Sequence, residues 1–257
     1  MLSVRGRRPA AVVVEPVARA VMRTGVSPNT VTLTGTVLTC AAILVLIPTG
    51  HLFAAAVLCA VFASFDLIDG TMARLSGGGT AYGATLDASC DRITDGALFA
   101  AVVWWLVYVD DAARSTVAAG LVVLVTSQVI SYVKARGEAG GLKINGGLVE
   151  RAERLIVGLL GLGLEGLGVP HAVEVAVWLL AVGSAFTVCQ RLWRASRDPE
   201  AGRRIAPPAG AAEAPDAGAE GGAERANGAE HSADAERAAG ARRAAEDDAA
   251  EAGREGE

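Results

Sequence analysis

The stretch FDLIDGTMARLSGGGTAYGATLDASCDR, Phe65 to Arg92, sets four aspartates, Asp66, Asp69, Asp87 and Asp91, among apolar runs that read as membrane helices. Ionisable groups are costly inside a bilayer and persist there when they are compensated and used. Asp66 and Asp69 are three residues apart and Asp87 and Asp91 four, so on helices each pair shares one face. A lone aspartate at a helix end can be a cap or a snorkelling surface charge. Four at these spacings point instead to two opposed acidic faces, which would repel and protonate unless a divalent cation compensates them. Hard oxygen ligands favour Mg²⁺ or Mn²⁺, ions that bind a few carboxylates together with substrate phosphates. Asp95, one turn further on, extends the row and is expected to support it or pack behind it.

The rest of the chain explains why those aspartates meet lipid. Of 257 residues 52% are hydrophobic and the mean hydropathy is +0.38, high for a water-soluble domain. Six apolar segments approach the ~20 residues that cross a hydrocarbon core: Asn29 to Ile47, Leu52 to Leu75, Gly83 to Val109, Ala112 to Ala135, Gly147 to Leu164 and Pro170 to Trp193. The fold class is therefore all-α, a polytopic membrane protein with six transmembrane helices. Residues 1–28 form an N-terminal arm in which AAVVVEPVARAVMRTG carries Arg19 and Arg23 on one side, as an interfacial amphipathic helix does. Arg5, Arg7 and Arg8 could begin a signal peptide, but Glu15 and Pro16 split the apolar run behind them. The six-helix membrane domain spans 29–197.

Residues 198–257 hold 15 acidic and 7 basic side chains, so the net charge of -5 leaves +3 for the first 197 residues. This Ala/Gly/Glu/Arg-rich tail has no aromatic residue and is expected to be disordered. The four cysteines are unpaired in spacing and read as helix-packing residues.

Basic residues cluster before the first span, at Arg74, around the loop from the fourth to the fifth span and after the sixth, while the alternate loops hold only Arg114. The positive-inside rule puts both termini and the aspartates on the cytoplasmic side of the cell membrane. Gly77 to Thr80 lacks the Lys and Ser/Thr of a phosphate-binding P-loop and reads as a turn with room for a ligand. Gly158, Gly161 and Gly163 suit close helix packing.

Asp66, Asp69-Gly70, Ala73-Arg74, Gly83, Asp87 and Asp91, at these intervals, resemble the signature of the CDP-alcohol phosphotransferase family. Members transfer a phosphoalcohol from a CDP-linked donor to an acceptor hydroxyl and release CMP. The resemblance implies that Asp66, Asp69, Asp87 and Asp91 hold two Mg²⁺ or Mn²⁺ ions, with Asp91 also the general base. It places Gly70 against the cytidine, Arg74 on donor phosphate, and Thr80 with Asn29, Thr30, Val31 and Thr32 as further donor contacts. SPNTVT is equally a helix start, with Ser27 or Asn29 capping and Pro28 at the entry. TSQVISYVKARGEAGGL, ERAERLIV and CQRL look like bacterial phosphatidylinositol-phosphate synthases, which implies CDP-diacylglycerol as donor and inositol phosphate as acceptor. Lys134, Arg154 and Arg191, with Arg136, Arg151 and Ser131, would then bind the acceptor phosphate, although a positive-inside topology also requires basic residues there. Glycerol 3-phosphate as acceptor and a non-catalytic scaffold stay open as alternatives. Glu150 and Glu153 are expected to pair with the arginines. A homodimer, packed through the glycines of spans three to five, completes the expected partners, together with the lipid bilayer; no nucleic acid is expected.

Overall fold

The computed structural model describes residues 7–144 and 146–204, with side chains from Val14 onward. The tail beyond residue 204, and the disorder expected of it, lie outside the described residues. Among these there are eight helices and no strand: α1 (Arg7–Arg23), α2 (Pro28–Leu46), α3 (Leu52–Ala63), α4 (Phe65–Leu75), α5 (Ala81–Tyr108), α6 (Arg114–Ala139), α7 (Arg151–Gly166) and α8 (Ala172–Ser196).

Local chemistry sets the helix ends. Pro28 occupies the first turn of α2, where its missing N–H is no loss, and the Ser27 hydroxyl accepts from Thr30 N at 3.2 Å. Thr80 caps α5 by accepting from Gly83 N at 2.9 Å. The glycine turn ahead of it needs Gly77 and Gly78 at φ +93° and +122°, a region open to glycine. Glu153 reaches back to the Glu150 N–H at 3.2 Å and starts α7 at Arg151 rather than Gly147. The second expected span is two helices, because a tighter turn at Ser64 separates α3 from α4: Ser64 N bonds the carbonyl three residues back and its hydroxyl donates to the same Val61 oxygen. Pro16 lies inside α1.

Among the described residues four segments are long and apolar enough to cross a membrane: Pro28–Leu46, Leu52–Leu75, Arg114–Ala139 and Ala172–Ser196. The two remaining expected spans differ in kind. Asp87, Asp91, Arg92 and Asp95 interrupt α5, and α7 has only 16 residues with Arg151, Glu153 and Arg154 in its first turn. The helices close around one core that includes Ile43, Leu98, Phe99, Trp105, Leu162 and Leu180. Large apolar side chains such as Leu44, Val45, Val125, Leu160 and Leu179 face outward, as lipid contact requires. α1 docks on α4 through a second cluster of Ala18, Val31 and Met72.

The two ends of the bundle differ in charge. At one end Asp110, Asp111, Glu165 and Glu174 gather near the α5–α6 and α7–α8 turns, where His171 bonds Glu174 at 2.8 Å and that carboxylate raises the histidine's pKa above its ordinary value. The other end holds the signature aspartates and the basic residues. Residues 198–203, which composition assigns to the tail, belong to the same compact unit as the helices. Asp198 accepts from the backbone N–H of Lys143 at 3.0 Å and of Glu200 at 2.9 Å, which lowers its pKa, and Arg203 donates to Gly140 O.

Gly161, expected to serve close helix packing, does so within the chain, and Gly166 at the end of α7 packs more closely still. A Cβ on Gly161 would lie 2.6 Å from the Ala176 Cβ, and one on Gly166 2.3 Å from Phe53 N. Backbone cannot yield as a side chain end can, so Gly166→Ala should force α7 off α3 and cost about 1 to 3 kcal/mol. Thermal unfolding of the purified variant in detergent checks this, with Gly158→Ala, where the nearest atom is 3.9 Å away, as the tolerated comparison.

Candidate active site

The basic end of the bundle brings α4, α5 and α7 together. Asp66 is in the first turn of α4; Asp91 and Asp95 lie on one face of α5; Arg151 is the first residue of α7. The Arg151 guanidinium bridges the two helices, with Nη1 2.9 Å from Asp66 Oδ2 and Nη2 2.7 Å from Asp91 Oδ1. Its Nε faces Asp95 Oδ1 at 3.6 Å. Asp69 is buried and accepts from the Thr32 hydroxyl at 2.5 Å, which fixes its carboxylate against α2. Asp87 stands within electrostatic range of Asp66, Arg151 and Arg92, and Asp69 within range of Asp66 and Asp87. The four aspartates therefore share one neighbourhood.

A cleft opens from this cluster. Asp66, Asp91 and Arg151 line its polar end, and Ile43, Phe62, Leu98 and Leu155 its apolar wall, with Thr36 and Thr39 of α2 along the side.

Beneath the cluster sits an ion pair closed to solvent. Arg154 Nη2 donates to Asp95 Oδ2 at 2.7 Å, and each side chain is 1% exposed. Among the described residues Nε and Nη1 of Arg154 have no hydrogen-bond partner. Asp95 thus supports the row, as its position one turn beyond Asp91 implies.

The donor contacts expected from the sequence fall at the starts of α2 and α5. A Cβ on Gly83 would meet Asn29 Oδ1 and Thr80 Oγ1, both at 3.1 Å, so glycine there lets the two helix starts close on each other. Thr30 bonds Ser27, and Thr32 positions Asp69. Val31 turns its side chain into the cluster with Ala18 and Met72. Gly70 presents an open helix face, its nearest neighbour being Arg74 Nη1, and Arg74 donates to the Thr71 hydroxyl at 2.8 Å.

The basic residues proposed for the acceptor are not equivalent. Arg191 is 3% exposed, and its three nitrogens go to Gly146 O at 3.1 Å, Ile130 O at 2.7 Å and Glu150 Oε1 at 3.4 Å, tying α6, α8 and the loop before α7 together. Lys134 is half exposed near Glu138, at 3.9 Å, and Arg136 is exposed. Ser131 donates weakly to Ser127 O at 3.4 Å, next to the carbonyl that holds Arg191. Arg151 stands among the aspartates instead of with these residues. The expected pairing of Glu150 with an arginine is met by Arg191, whereas Glu153 serves the α7 start.

Among the described residues no three Asp, Glu, His or Cys side chains converge tightly enough to hold a metal ion as they stand. Their chemistry nonetheless fits one. Two carboxylates from different helices already grip a cation between them, and that cation is the Arg151 guanidinium.

A sequence model of the family described as CDP-alcohol phosphatidyltransferase matches residues 25–189. The chain is 62% identical over 211 residues to the phosphatidylinositol phosphate synthase of Corynebacterium glutamicum, covering 82% of this chain and 96% of that one. It is 48% identical over 202 residues to that of Mycobacteroides abscessus, covering 78% and 91%. The crystal structure of Mycobacterium tuberculosis phosphatidylinositol phosphate synthase with CDP-DAG bound superposes with a TM-score of 0.73 at 48% identity, covering 77% of this chain and all of that one. The same enzyme in complex with manganese and citrate gives a TM-score of 0.71 at 48% identity, over 75% and 93%.

Proposed function

The chain belongs to the CDP-alcohol phosphatidyltransferase family, and from that premise we propose that it transfers the phosphatidyl group of CDP-diacylglycerol to a hydroxyl of inositol phosphate, releasing CMP. The observation that carries this reading is the cleft itself. One end is lined by carboxylates and a guanidinium and the other by apolar side chains, which suits a donor with a diphosphate head and acyl chains. The names of the relatives, and the CDP-DAG and manganese held by the mycobacterial enzyme, support it.

In this reading Asp66, Asp69, Asp87 and Asp91 would hold Mg²⁺ or Mn²⁺, two ions per site. When bound, such ions neutralise the donor diphosphate and stabilise charge on the departing CMP. The protein supplies the rest. Thr32 holds Asp69 aimed by donating to it. The open face at Gly70, with Asn29, Thr30, Val31, Thr32 and Thr80 at the adjoining helix starts and Arg74 one turn on, receives the nucleotide end of the donor. Asp91 takes the proton of the attacking hydroxyl as that oxygen bonds the phosphatidyl phosphorus and the bond from phosphorus to the CMP oxygen breaks. The acceptor phosphate meets Lys134, Ser131, Arg154 and Arg191 at the ends of α6, α7 and α8, with Arg136 and Arg151 alongside. The two buried arginyl donors of Arg154 without partners favour this assignment.

The same reading takes α5 and α7 as spans, giving six, with α1 lying in the interface. It places both termini and the active site on the cytoplasmic side, because the basic residues gather at that end of the bundle. It also includes pairing with a second copy of the chain, as the resemblance implies.

The test is CMP release by purified protein given CDP-diacylglycerol, Mg²⁺ or Mn²⁺, and inositol phosphate or glycerol 3-phosphate separately. Turnover should require inositol phosphate. Preference for glycerol 3-phosphate would change the acceptor and leave the aspartate chemistry intact, and no turnover with either would favour a scaffold. Lys134→Gln should raise the apparent KM for inositol phosphate about tenfold or more and leave that for CDP-diacylglycerol unchanged, since one charge-assisted hydrogen bond is lost.

A further inference from the structure

We infer that Arg151 is a built-in counter-cation of the metal site: its guanidinium fills the place of the metal between Asp66 and Asp91, and metal loading drives it out toward the substrate phosphates. The inference rests on the proposed role of those aspartates. The guanidinium fills the space between the two carboxylate oxygens it bonds at 2.7 to 2.9 Å, so an ion bridging those oxygens from the same place must displace it, and there the two cations exclude one another. Arg151 is built to leave. It is the first residue of α7, whose start is held by Glu150 and Glu153 rather than by the Arg151 side chain, and that side chain is 28% exposed at the polar end of the cleft. Asp95 keeps its buried partner Arg154 when Arg151 departs.

Two consequences follow from this exclusion. Without metal, Arg151 prevents repulsion between Asp66 and Asp91 and holds α4 against α5. With metal, its donors are released at the mouth of the cleft, where a substrate phosphate can take them. Metal and phosphate binding are then coupled through one side chain, and the coupling is reciprocal.

The experiment measures Mn²⁺ binding by electron paramagnetic resonance, with Mn²⁺ alone and no phosphate ligand, on purified full-length protein and the variants Arg151→Gln, Arg151→Lys and Arg92→Gln. Arg151→Gln should bind Mn²⁺ about tenfold more tightly than the parent, because the ion no longer competes with a bridging fork. Arg151→Lys, a cation that cannot bridge both carboxylates as a fork, should fall between them. Arg92 is also close to Asp91, at 3.8 Å, but does not bridge, so Arg92→Gln reports the effect of merely removing a nearby charge. Equal tightening by Arg92→Gln and Arg151→Gln, or none by Arg151→Gln, overturns the inference while leaving the metal reading in place. Failure of Mn²⁺ to bind any of the proteins overturns both. Thermal unfolding gives a second readout: Arg151→Gln should unfold at a lower temperature than the parent without metal and match it in saturating Mn²⁺. A deficit that persists in Mn²⁺ means that Arg151 stays between the aspartates in the loaded protein and sinks the proposal.

Discussion

Asp91→Asn should lower CMP release by at least about 10³-fold at saturating CDP-diacylglycerol, metal and inositol phosphate, while the protein stays folded in detergent. General bases contribute about 10² to 10⁴ in rate, and Asp91 is also counted among the metal-holding carboxylates, so its loss should fall in the upper part of that range or beyond. Asparagine keeps the shape of the side chain and can still accept from Arg151 Nη2, which is why the packing of α5 against α7 should survive. Asp66→Asn should be comparably severe, for loss of the other carboxylate that grips the cation. The measurement is CMP formation per mole of monodisperse protein, compared with its unfolding temperature. An Asp91→Asn protein that is well folded and retains a tenth of parental turnover would remove Asp91 as the base.

Arg154→Met should destabilise the protein by about 3 to 5 kcal/mol, the magnitude that follows when one member of a buried ion pair is removed. Asp95 would be left 1% exposed, with the Arg151 Nε at 3.6 Å as a poor substitute for the 2.7 Å bond it loses. Replacing both partners, Asp95→Leu with Arg154→Met, removes the orphaned charge and should recover most of the loss. Unfolding temperature in detergent checks both variants. If Arg154→Met unfolds with the parent and only the acceptor KM changes, Arg154 serves the ligand alone. The double variant separates the two roles further: restored stability with a raised acceptor KM identifies a residue that holds the fold and faces substrate with its remaining donors.

Much of the site was legible in one dimension because its spacing is a property of helices. Intervals of three and four put Asp66 with Asp69 and Asp87 with Asp91 on common faces, and the apolar runs around them required a membrane setting. Pro28 after Ser27 and Glu153 after Glu150 carried the helix starts in the same local way, although the apolar run before Arg151 disguised where α7 begins. Ser64 gave no such signal: it sits in an unbroken hydrophobic stretch, and the turn that splits α3 from α4 is visible only in the backbone bonding.

The basic residues show where local reading stops. Lys134, Arg136, Arg151, Arg154 and Arg191 look alike in sequence, since topology and phosphate binding both call for cations at that end of the bundle. Packing alone distinguishes them. The chain joins Arg151 to Asp66 across 85 residues, Arg154 to Asp95 across 59 and Thr32 to Asp69 across 37. The sequence by itself determined the membrane class, the four aspartates and their shared faces, because helical periodicity acts over a few residues. Only the tertiary structure decided that one arginine would stand between the aspartates, a second lie buried beneath them and a third brace the loop behind, because a long flexible side chain takes its partner from whichever helix the fold brings within reach.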